Sequence, residues 1–466
     1  MEYINDKLEE FNNFLKNKRV AIIGLGISNL PLVDYLNKYG AKVVVFDKRN
    51  VEEIDTQIIS KFMTEAIEYH LGKTYLEYLV GFDIIFRSPS CMPNVPEIEA
   101  EIERGAILTS EIEMVLELCP GTIVGVTGSD GKTTTTSLIY EIVKKKGYNC
   151  YLGGNIGIPL FTKLSEMKPT DIVVLELSSF QLITAKVSPQ IAVITNITPN
   201  HLDIHTSYEE YIEAKKNIFK YQNEDGILVL NYDNNITYKF APEASGNVIY
   251  FAAENKPDNG FMLDGNVIKV SKDKLRTHVI NTNEIKLRGK HNYENICTAL
   301  CATRTLVDID TALDAIKNFK GVEHRLEFVR EIDGVKWYND SIGTSPTRTI
   351  AGLNAYTEEI VLIAGGYDKN LDYTPLAPHI VDKVKHLILF GKTAKKILNA
   401  VQLEMDKQDR SLKIYTCDSL AETVAVANKV ASRGQIVLFS PASASFDLFK
   451  NFEDRGNKFK NIVNGL

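Results

Sequence analysis

Thr122-Ile-Val-Gly-Val-Thr-Gly-Ser-Asp-Gly-Lys-Thr-Thr134 decides the reading of this chain. An apolar run, Thr122–Val126, leads into a glycine turn, and Ser137-Leu-Ile-Tyr-Glu-Ile-Val-Lys144 behind it has helical character. Strand, turn and helix N-terminus together make an anion cradle. Glycines let backbone N–H groups close on a phosphate, and the helix dipole favours its charge. Gly128, Ser129, Asp130 and Gly131 form the turn. Lys132 is placed to reach terminal phosphates, Thr133 to hold Mg²⁺ through its hydroxyl, and Thr134 follows in the same helix start. The first glycine of the longer Walker form would fall on Val126, so this is a shortened version, Thr127-Gly-x-x-Gly-Lys-Thr133. Its place between strand and helix favours phosphate binding over a turn in which glycine serves geometry alone.

At 466 residues the chain predicts two to four domains. With 44% hydrophobic and 24% charged residues it reads as an ordinary globular protein. A net charge of −7 argues against a nucleic-acid partner, whose binding domains are usually basic. None of the six cysteines forms a C-x-x-C pair, which suits a reducing cytoplasm. The N-terminal stretch lacks the layout of a signal peptide, and no apolar run reaches the ~20 residues that span a bilayer, so no membrane partner is expected.

Three blocks of βα punctuation follow one another. The first opens at Arg19-Val-Ala-Ile-Ile-Gly24-Leu-Gly26, continues through a helical segment to Gly40, and reaches Lys42-Val-Val-Val-Phe-Asp47. Asp47 lies where a dinucleotide fold puts its ribose-binding acid, but Asn29 replaces the third glycine. This predicts a Rossmann-like turn and leaves NAD open. The second block, about Ile112 to Lys320, holds the phosphate loop and the apolar runs Asp171–Glu176, Ile191–Asn196 and Gly226–Asn231, which suit buried parallel strands. The stretch from about Asn234 to Glu284 is expected to be an added small sheet with loops. The third block starts near Val322. Its strands Ile360–Ala364, His386–Phe390 and Gln435–Phe439 end in Gly365-Gly366, Gly391 and Ser440-Pro441, and ligands of open α/β sheets bind beyond such ends.

Several residues carry candidate chemistry. Glu176 ends a strand beside the phosphate loop, a natural place for a Mg²⁺ ligand. His201, Asp203 and His205 alternate on an extended segment and could face one metal, one histidine joining carboxylates around magnesium being favoured over a zinc triad; loop residues without a metal are the competing reading. Ser207 caps a helix with Glu210 at N3, and the paired Lys215 and Lys216 within it are of a kind usually solvated. Asn292 and Asn295 lie one turn apart and could read a base edge or act as caps. Arg325 and Asp340 are expected to form a charge pair near the start of the third block, the arginine suited to a γ-phosphate and the acid to ribose hydroxyls.

Taken together, these segments resemble the Mur ligase superfamily, whose members make amide bonds with ATP. The resemblance covers nearly the whole chain. Thr127–Thr133, His291-Asn292-Tyr-Glu-Asn295 and Glu323-His-Arg325 carry it, and Gly153-Gly-Asn155-Ile-Gly157, Glu176-Leu-Ser-Ser-Phe-Gln181 and Ser440–Gly456 are most similar to the members that add D-glutamate to UDP-N-acetylmuramoyl-L-alanine. The resemblance implies a three-domain α/β fold. A Rossmann-like domain, 1–111, would bind the UDP substrate. A central P-loop-type domain with a mainly parallel sheet, 112–321, would bind ATP and Mg²⁺. A C-terminal Rossmann-like domain, 322–466, would bind the amino acid.

By the same resemblance, Gly128 to Thr134, Asn295, Arg325 and Asp340 would contact ATP. Thr133, Glu176, His201 and Lys215 would hold two magnesium ions, Lys215 as a carbamate made from CO₂. Ile27, Ser28, Asp47, Lys48, Ser88, Asn155, Ser178 and Gln181 would contact the UDP substrate. Thr344, Lys369, Ser440 and Phe446 would surround D-glutamate. The resemblance implies a monomeric cytoplasmic enzyme in which Lys132, Glu176, His201, Lys215 and Arg325 serve catalysis. Ile342, Ser90 and Asn200 depart from the family's usual lysine, glycine and aspartate. The competing functions are a Mur-type or folate-type ligase for another amino acid, an NAD-dependent oxidoreductase, and a nucleotide-dependent binding protein without ligation.

Overall fold

A computed structural model describes residues 3–199, 204–287, 289–368, 371–445 and 448–466. Its apolar strands assemble into three sheets within two compact units, Met1–Phe319 and Lys320–Leu466.

The first sheet has β1 (Arg19–Ile23), β2 (Lys42–Asp47), β3 (Glu68–Leu71), β4 (Ile84–Arg87) and β5 (Ile107–Thr109) in the order β3-β2-β1-β4-β5, all parallel. Strand order reverses between β1 and β4, so their C-terminal ends frame a crevice. Asn29 takes the third-glycine place for a local reason: its amide donates to the carbonyls of Ile23 and Gly24, both at 3.0 Å, and closes the turn.

The second sheet has β6 (Thr122–Thr127), β7 (Cys150–Gly154), β8 (Ile172–Glu176), β9 (Ile191–Ile194), β10 (Ile227–Asn231), β11 (Asn247–Ala252), β12 (Gly260–Asp264), β13 (Val267–Lys272) and β14 (Leu275–Asn281). Their order is β14-β13-β12-β11-β10-β9-β6-β8-β7. The expected separate small sheet is absent. β11 pairs parallel with β10, β12 pairs parallel with β11, and only β13 and β14 add antiparallel, so the stretch extends the main sheet. Phe251 and Met262 on these strands are buried, which explains why they join the core.

One apolar cluster runs from the first sheet into the second. Phe161 is its pivot, meeting Tyr35 edge-on at 4.9 Å and Phe86 at 6.4 Å. Glu111, buried at the start of the helix Glu111–Leu118, accepts from the N–H groups of Leu160 (2.8 Å) and Phe161 (2.9 Å) and holds that pivot.

The second unit has β15 (Glu327–Ile332), β16 (Val335–Asn339), β17 (Ile360–Gly365), β18 (Val384–Phe390), β19 (Lys413–Cys417) and β20 (Ile436–Phe439), ordered β15-β16-β20-β17-β18-β19. Among the described strands the β15–β16 hairpin pairs antiparallel and the others pair parallel. The loops that follow its strands are laced by Arg455, a fully buried side chain that donates to the carbonyls of Ser341 (2.8 Å), Ser443 (2.9 Å) and Ala444 (2.9 Å). Among the described residues no helix is long and apolar enough to cross a membrane.

Candidate active site

The phosphate loop connects β6 to the helix Lys132–Lys146. Gly131 sits at the N-cap with φ +79°, and a Cβ there would strike the Asn295 amide oxygen. Only glycine fits both the left-handed backbone and that approach. Asn295 is buried beneath the loop, and Thr135 donates to the same amide oxygen at 3.3 Å. Ser129 and Asp130 are tied through their N–H groups to the Asn196 backbone and side-chain oxygens, both at 2.9 Å. Lys132 Nζ donates to the Gly128 and Ser129 carbonyls at 2.9 and 3.0 Å, so its ammonium already lies over the loop.

Glu176 ends β8, paired across to Val126 of β6 and Gly154 of β7. One carboxylate oxygen accepts from Asn155 Nδ2 at 2.7 Å. The other is buried and has no hydrogen-bond partner among the described residues. An orphaned carboxylate oxygen beside a phosphate loop fits a hard divalent cation, which takes oxygen ligands.

Lys215 departs most from expectation. Its neighbour Lys216 pairs with Glu213 and Glu243 at the surface side, as a helix lysine should. Lys215 is instead 2% exposed. Its Nζ donates to Thr127 Oγ1 (3.2 Å) and the Gly128 carbonyl (2.9 Å) and lies 4.7 Å from the Tyr211 ring centre. Burial, with Lys132 close by, pushes its pKa well below that of an ordinary lysine, against the pull of Glu176 and Asp130. Both effects disfavour its charged form.

The segment after Glu176 is fixed by a capping box. Ser178 N–H and Oγ both donate to Gln181 Oε1 at 2.9 Å, at the start of the short helix Ser179–Leu182. His205 is buried behind it, stacked on Phe180 at 4.9 Å. Its Nε2 lies 2.9 Å from Ser179 Oγ and its Nδ1 2.9 Å from Glu210 Oε2, so both ring nitrogens are engaged. His205 therefore belongs to packing, with neither ring nitrogen free for a metal. His201 and Asp203, with Asn200, lie outside the described residues. Among the described residues no group of three His, Cys, Asp or Glu is arranged to hold a metal.

In the first sheet, Asp47 is buried. Its carboxylate accepts from the Leu25 N–H (2.7 Å) and from Arg49 Nε (2.9 Å) and Nη2 (2.8 Å). Burial raises its pKa, but the Arg49 and backbone hydrogen bonds outweigh it and leave it below the usual aspartate range. Ser88, at the end of β4, shares a 2.9 Å hydrogen bond with Ser90. Ile27 is 82% exposed, an unusual place for an isoleucine; Ser28 next to it is half-buried and Lys48, after β2, is exposed.

In the second unit, Asp340 is buried, with Ser440 Oγ donating to it at 2.6 Å and the Leu326 N–H at 3.3 Å. Burial pushes its pKa up to about 6, against Ser440, the charge of Arg325, the Leu326 N–H and Arg348. The expected Arg325–Asp340 contact pair is not formed. Arg325 acts on Asp340 through space, while the Leu326 N–H takes the direct contact. The backbone explains this, because His324 (φ +62°) and Leu326 (φ +45°) flank Arg325 in left-handed conformation and turn the chain there. Ser440 is fully buried and engages Asp340 and Thr349, whereas Thr344 is partly exposed. Lys369 and Phe446 lie outside the described residues.

Comparison with known proteins agrees with this layout. Residues 18–110 match the N-terminal domain described as Mur ligase MurD-like, 126–303 the Mur ligase middle domain, and 324–443 the Mur ligase glutamate ligase domain. The chain belongs to the Mur ligase family. It is 50% identical over 465 residues to UDP-N-acetylmuramoylalanine--D-glutamate ligase of Acetivibrio thermocellus, covering 99% of this chain and 100% of that one. It is 48% identical over 460 residues to the protein of the same name from Clostridium acetobutylicum, 98% of each chain. Among solved structures, UDP-N-acetylmuramate-alanine ligase MurC from Thermotoga maritima is similar with TM-score 0.58 and 18% identity, over 96% of this chain and 100% of that one. A pseudomurein peptide ligase type C from Methanothermus fervidus gives 0.56 and 20%, over 96% and 100%. At such identities these structures speak to fold alone.

Sequence reasoning missed the burial of Lys215, the packing role of His205, and a buried arginine, Arg87, at the end of β4. An arginine closing an apolar strand, Asp83-Ile-Ile-Phe-Arg87, was the available signal for the last of these.

Proposed function

We propose that this Mur ligase joins D-glutamate to UDP-N-acetylmuramoyl-L-alanine, driven by ATP, as a step of peptidoglycan precursor synthesis. Full-length relatives named for that reaction support the choice of substrates. The observation that carries the chemistry is the buried, unpartnered oxygen of Glu176 beside the Lys132 loop.

The alanyl carboxylate of the UDP-sugar attacks the γ-phosphorus of ATP. ADP leaves and an acyl phosphate forms. The amine of D-glutamate then attacks the acyl carbon, inorganic phosphate leaves, and the nitrogen gives up a proton. Magnesium, when bound, offsets charge on the phosphate oxygens. Glu176, Thr133, His201 and Lys215 are its assigned ligands, Lys215 as a carbamate. Burial beside Lys132 supports that assignment, because only a neutral amine can attack CO₂ and a negatively charged product would meet the Lys132 ammonium. Gly128 to Thr134, Asn295, Arg325 and Asp340 are assigned to ATP. Ile27, Ser28, Asp47, Lys48, Ser88, Asn155, Ser178 and Gln181 are assigned to the UDP substrate. Thr344, Lys369, Ser440 and Phe446 are assigned to D-glutamate, Ser440 through the loop it anchors. We assign the domain limits 1–111, 112–321 and 322–466, and the division of the strands into three sheets supports them. A cytoplasmic monomer is the form we assign; six free cysteines suit a reducing compartment.

The test is phosphate release from ATP and Mg²⁺ with UDP-N-acetylmuramoyl-L-alanine, adding D-glutamate, L-glutamate, L-alanine or L-lysine in turn. Release is expected with D-glutamate alone, with a product heavier by one glutamate residue. Release with a different amino acid would refute the assigned specificity.

A further inference from the structure

Arg87 closes β4, immediately before Ser88 at the first-sheet crevice, and its side chain is fully buried. The guanidinium does not stay within its own sheet. Nη2 donates to the Phe180 carbonyl at 2.7 Å, and Nε and Nη2 donate to Thr184 Oγ1 at 3.2 and 3.0 Å. Nη1 returns to the Cys91 carbonyl at 3.2 Å, in the loop that follows Ser88 and Ser90. Thr184 Oγ1 passes the contact on, donating to Glu113 Oε1 at 2.6 Å, and Ser110 Oγ donates to the same oxygen at 2.9 Å. A buried cation and a half-buried carboxylate are thus joined through one hydroxyl.

The places this network joins matter more than the bonds themselves. Phe180 lies inside the Ser178–Gln181 cap, four residues after Glu176 ends β8. Cys91 and Ser88 lie on the first sheet's crevice loop. One UDP-sugar that reaches from that crevice to the alanyl carboxylate beside Glu176 must touch both ends. A planar fork with five fixed donors can hold two loops at one spacing, which a lysine cannot.

We infer that Arg87 is a positioning residue of this ligase: it sets the first-sheet crevice at a fixed spacing from the Glu176–Gln181 segment, so that the UDP-sugar is gripped at both ends. This rests on the UDP-sugar reading given above. Arg87 touches neither the phosphate loop nor the unit Lys320–Leu466 in any of these bonds, so its loss weakens one substrate selectively. Pre-organisation lost at one end of a doubly held ligand shows as weaker binding of that ligand.

The experiment compares wild type with Thr184→Val, Arg87→Lys and Arg87→Met, measuring kcat and KM for each of the three substrates, UDP-sugar binding by calorimetry, and thermal unfolding. Thr184→Val is the mild variant, since Thr184 is only partly buried and loses a hydroxyl while keeping its volume. The expected result is a KM and a Kd for the UDP-sugar raised about tenfold in Thr184→Val and further in Arg87→Met, with Arg87→Lys between them. KM for ATP and for D-glutamate stay within about twofold. A merely structural role would lower kcat with the folded fraction and leave the UDP-sugar KM and Kd unchanged; that outcome overturns the inference. Wild-type protein that neither binds nor turns over the UDP-sugar overturns the functional reading as well, whereas active wild type with unchanged variants overturns this inference alone.

Discussion

Replacing Asp340 by asparagine should make the second unit more stable at neutral pH and less stable in acid. Asp340 is buried and titrates at about 6 instead of the ordinary 3.8. A carboxyl whose native pKa is raised binds its proton more tightly in the folded chain. It therefore favours folding at low pH, and that contribution is lost as pH rises through about 6. The interval from 3.8 to about 6 corresponds to about 3 kcal/mol in full. About 2 kcal/mol of this is lost between about pH 4.5 and about pH 8, because the unfolded carboxyl is already mostly ionised at the lower end. An asparagine keeps an oxygen for the Leu326 N–H and presents an amide to Ser440 Oγ, which also lies 2.9 Å from Thr349 Oγ1 and can turn to accept. The exchange of that hydrogen bond is worth about 1 kcal/mol. The assay is urea unfolding of wild type and Asp340→Asn across this pH range, followed by the fluorescence of Trp337. Trp337 is the sole tryptophan, fully buried in β16 three residues from Asp340, so it reports this unit and not the other. The difference in stability should swing by about 2 kcal/mol with pH. A difference constant to within about 0.5 kcal/mol would refute the argument that burial strains this carboxylate. Ligase activity should fall in the same variant, since Asp340 is assigned to ATP.

Four further outcomes follow from the central site. Lys132→Ala should lose at least about 100-fold in phosphate release while keeping its far-UV circular dichroism; normal turnover would remove the phosphate-loop assignment. Lys215→Ala should be nearly inactive, and wild-type activity should drop when bicarbonate and CO₂ are stripped and return when they are restored; indifference to stripping would exclude the carbamate. Glu176→Gln should raise the Mg²⁺ concentration needed for half-maximal activity by about tenfold or more, which a magnesium titration reads directly, and an unchanged midpoint would take Glu176 off the metal. Gly131→Ala should raise the KM for ATP sharply, because alanine there would carry a strained φ of +79° and meet the Asn295 amide; an unchanged KM would refute the requirement for glycine at that turn.

The parallel strands were legible because burial on both faces leaves continuous apolar runs. Ile172–Glu176 and Ile360–Gly365 are buried along their whole length, and the sequence shows it. Half-buried strands left weaker marks. β13 and β14 mix buried Ile268 and Ile280 with exposed Lys272, Arg276 and His278, so the stretch read as a separate addition when it continues the main sheet. The phosphate loop was legible because its geometry is local, set by glycines between a strand and a helix. Lys215 was not, because its burial depends on Gly128, Thr127 and Tyr211, none of which is near it in sequence except the last. The spacing of His201, Asp203 and His205 invited a metal reading, yet Ser179 and Glu210 take both nitrogens of His205. Period-two spacing shows which side chains can share a face, not what meets them there.

Among the described residues each of the three sheets has a buried basic side chain near its C-terminal edge: Arg87 at the end of β4, Lys215 on the helix Tyr208–Lys220 and Arg455 on the helix Phe452–Asn464. Arg87 donates to the carbonyls of Phe180 and Cys91, Lys215 to that of Gly128, and Arg455 to those of Ser341, Ser443 and Ala444. The common feature has a physical cause. Chains leaving a parallel sheet for a loop carry carbonyl oxygens that the ladder no longer satisfies, and a buried unsatisfied carbonyl costs about 1–3 kcal/mol. An N–H donor of a basic side chain bonded to carbonyls also fixes the loop backbone without consuming a carboxylate. Among the described residues Glu176 keeps an oxygen without a partner, beside a loop that Lys132 and Lys215 hold through Gly128. Satisfying the strand ends with basic side chains thus leaves the acids of the site available for metal and substrate, and it ties the stability of these loops to groups whose removal should be felt in binding before it is felt in folding.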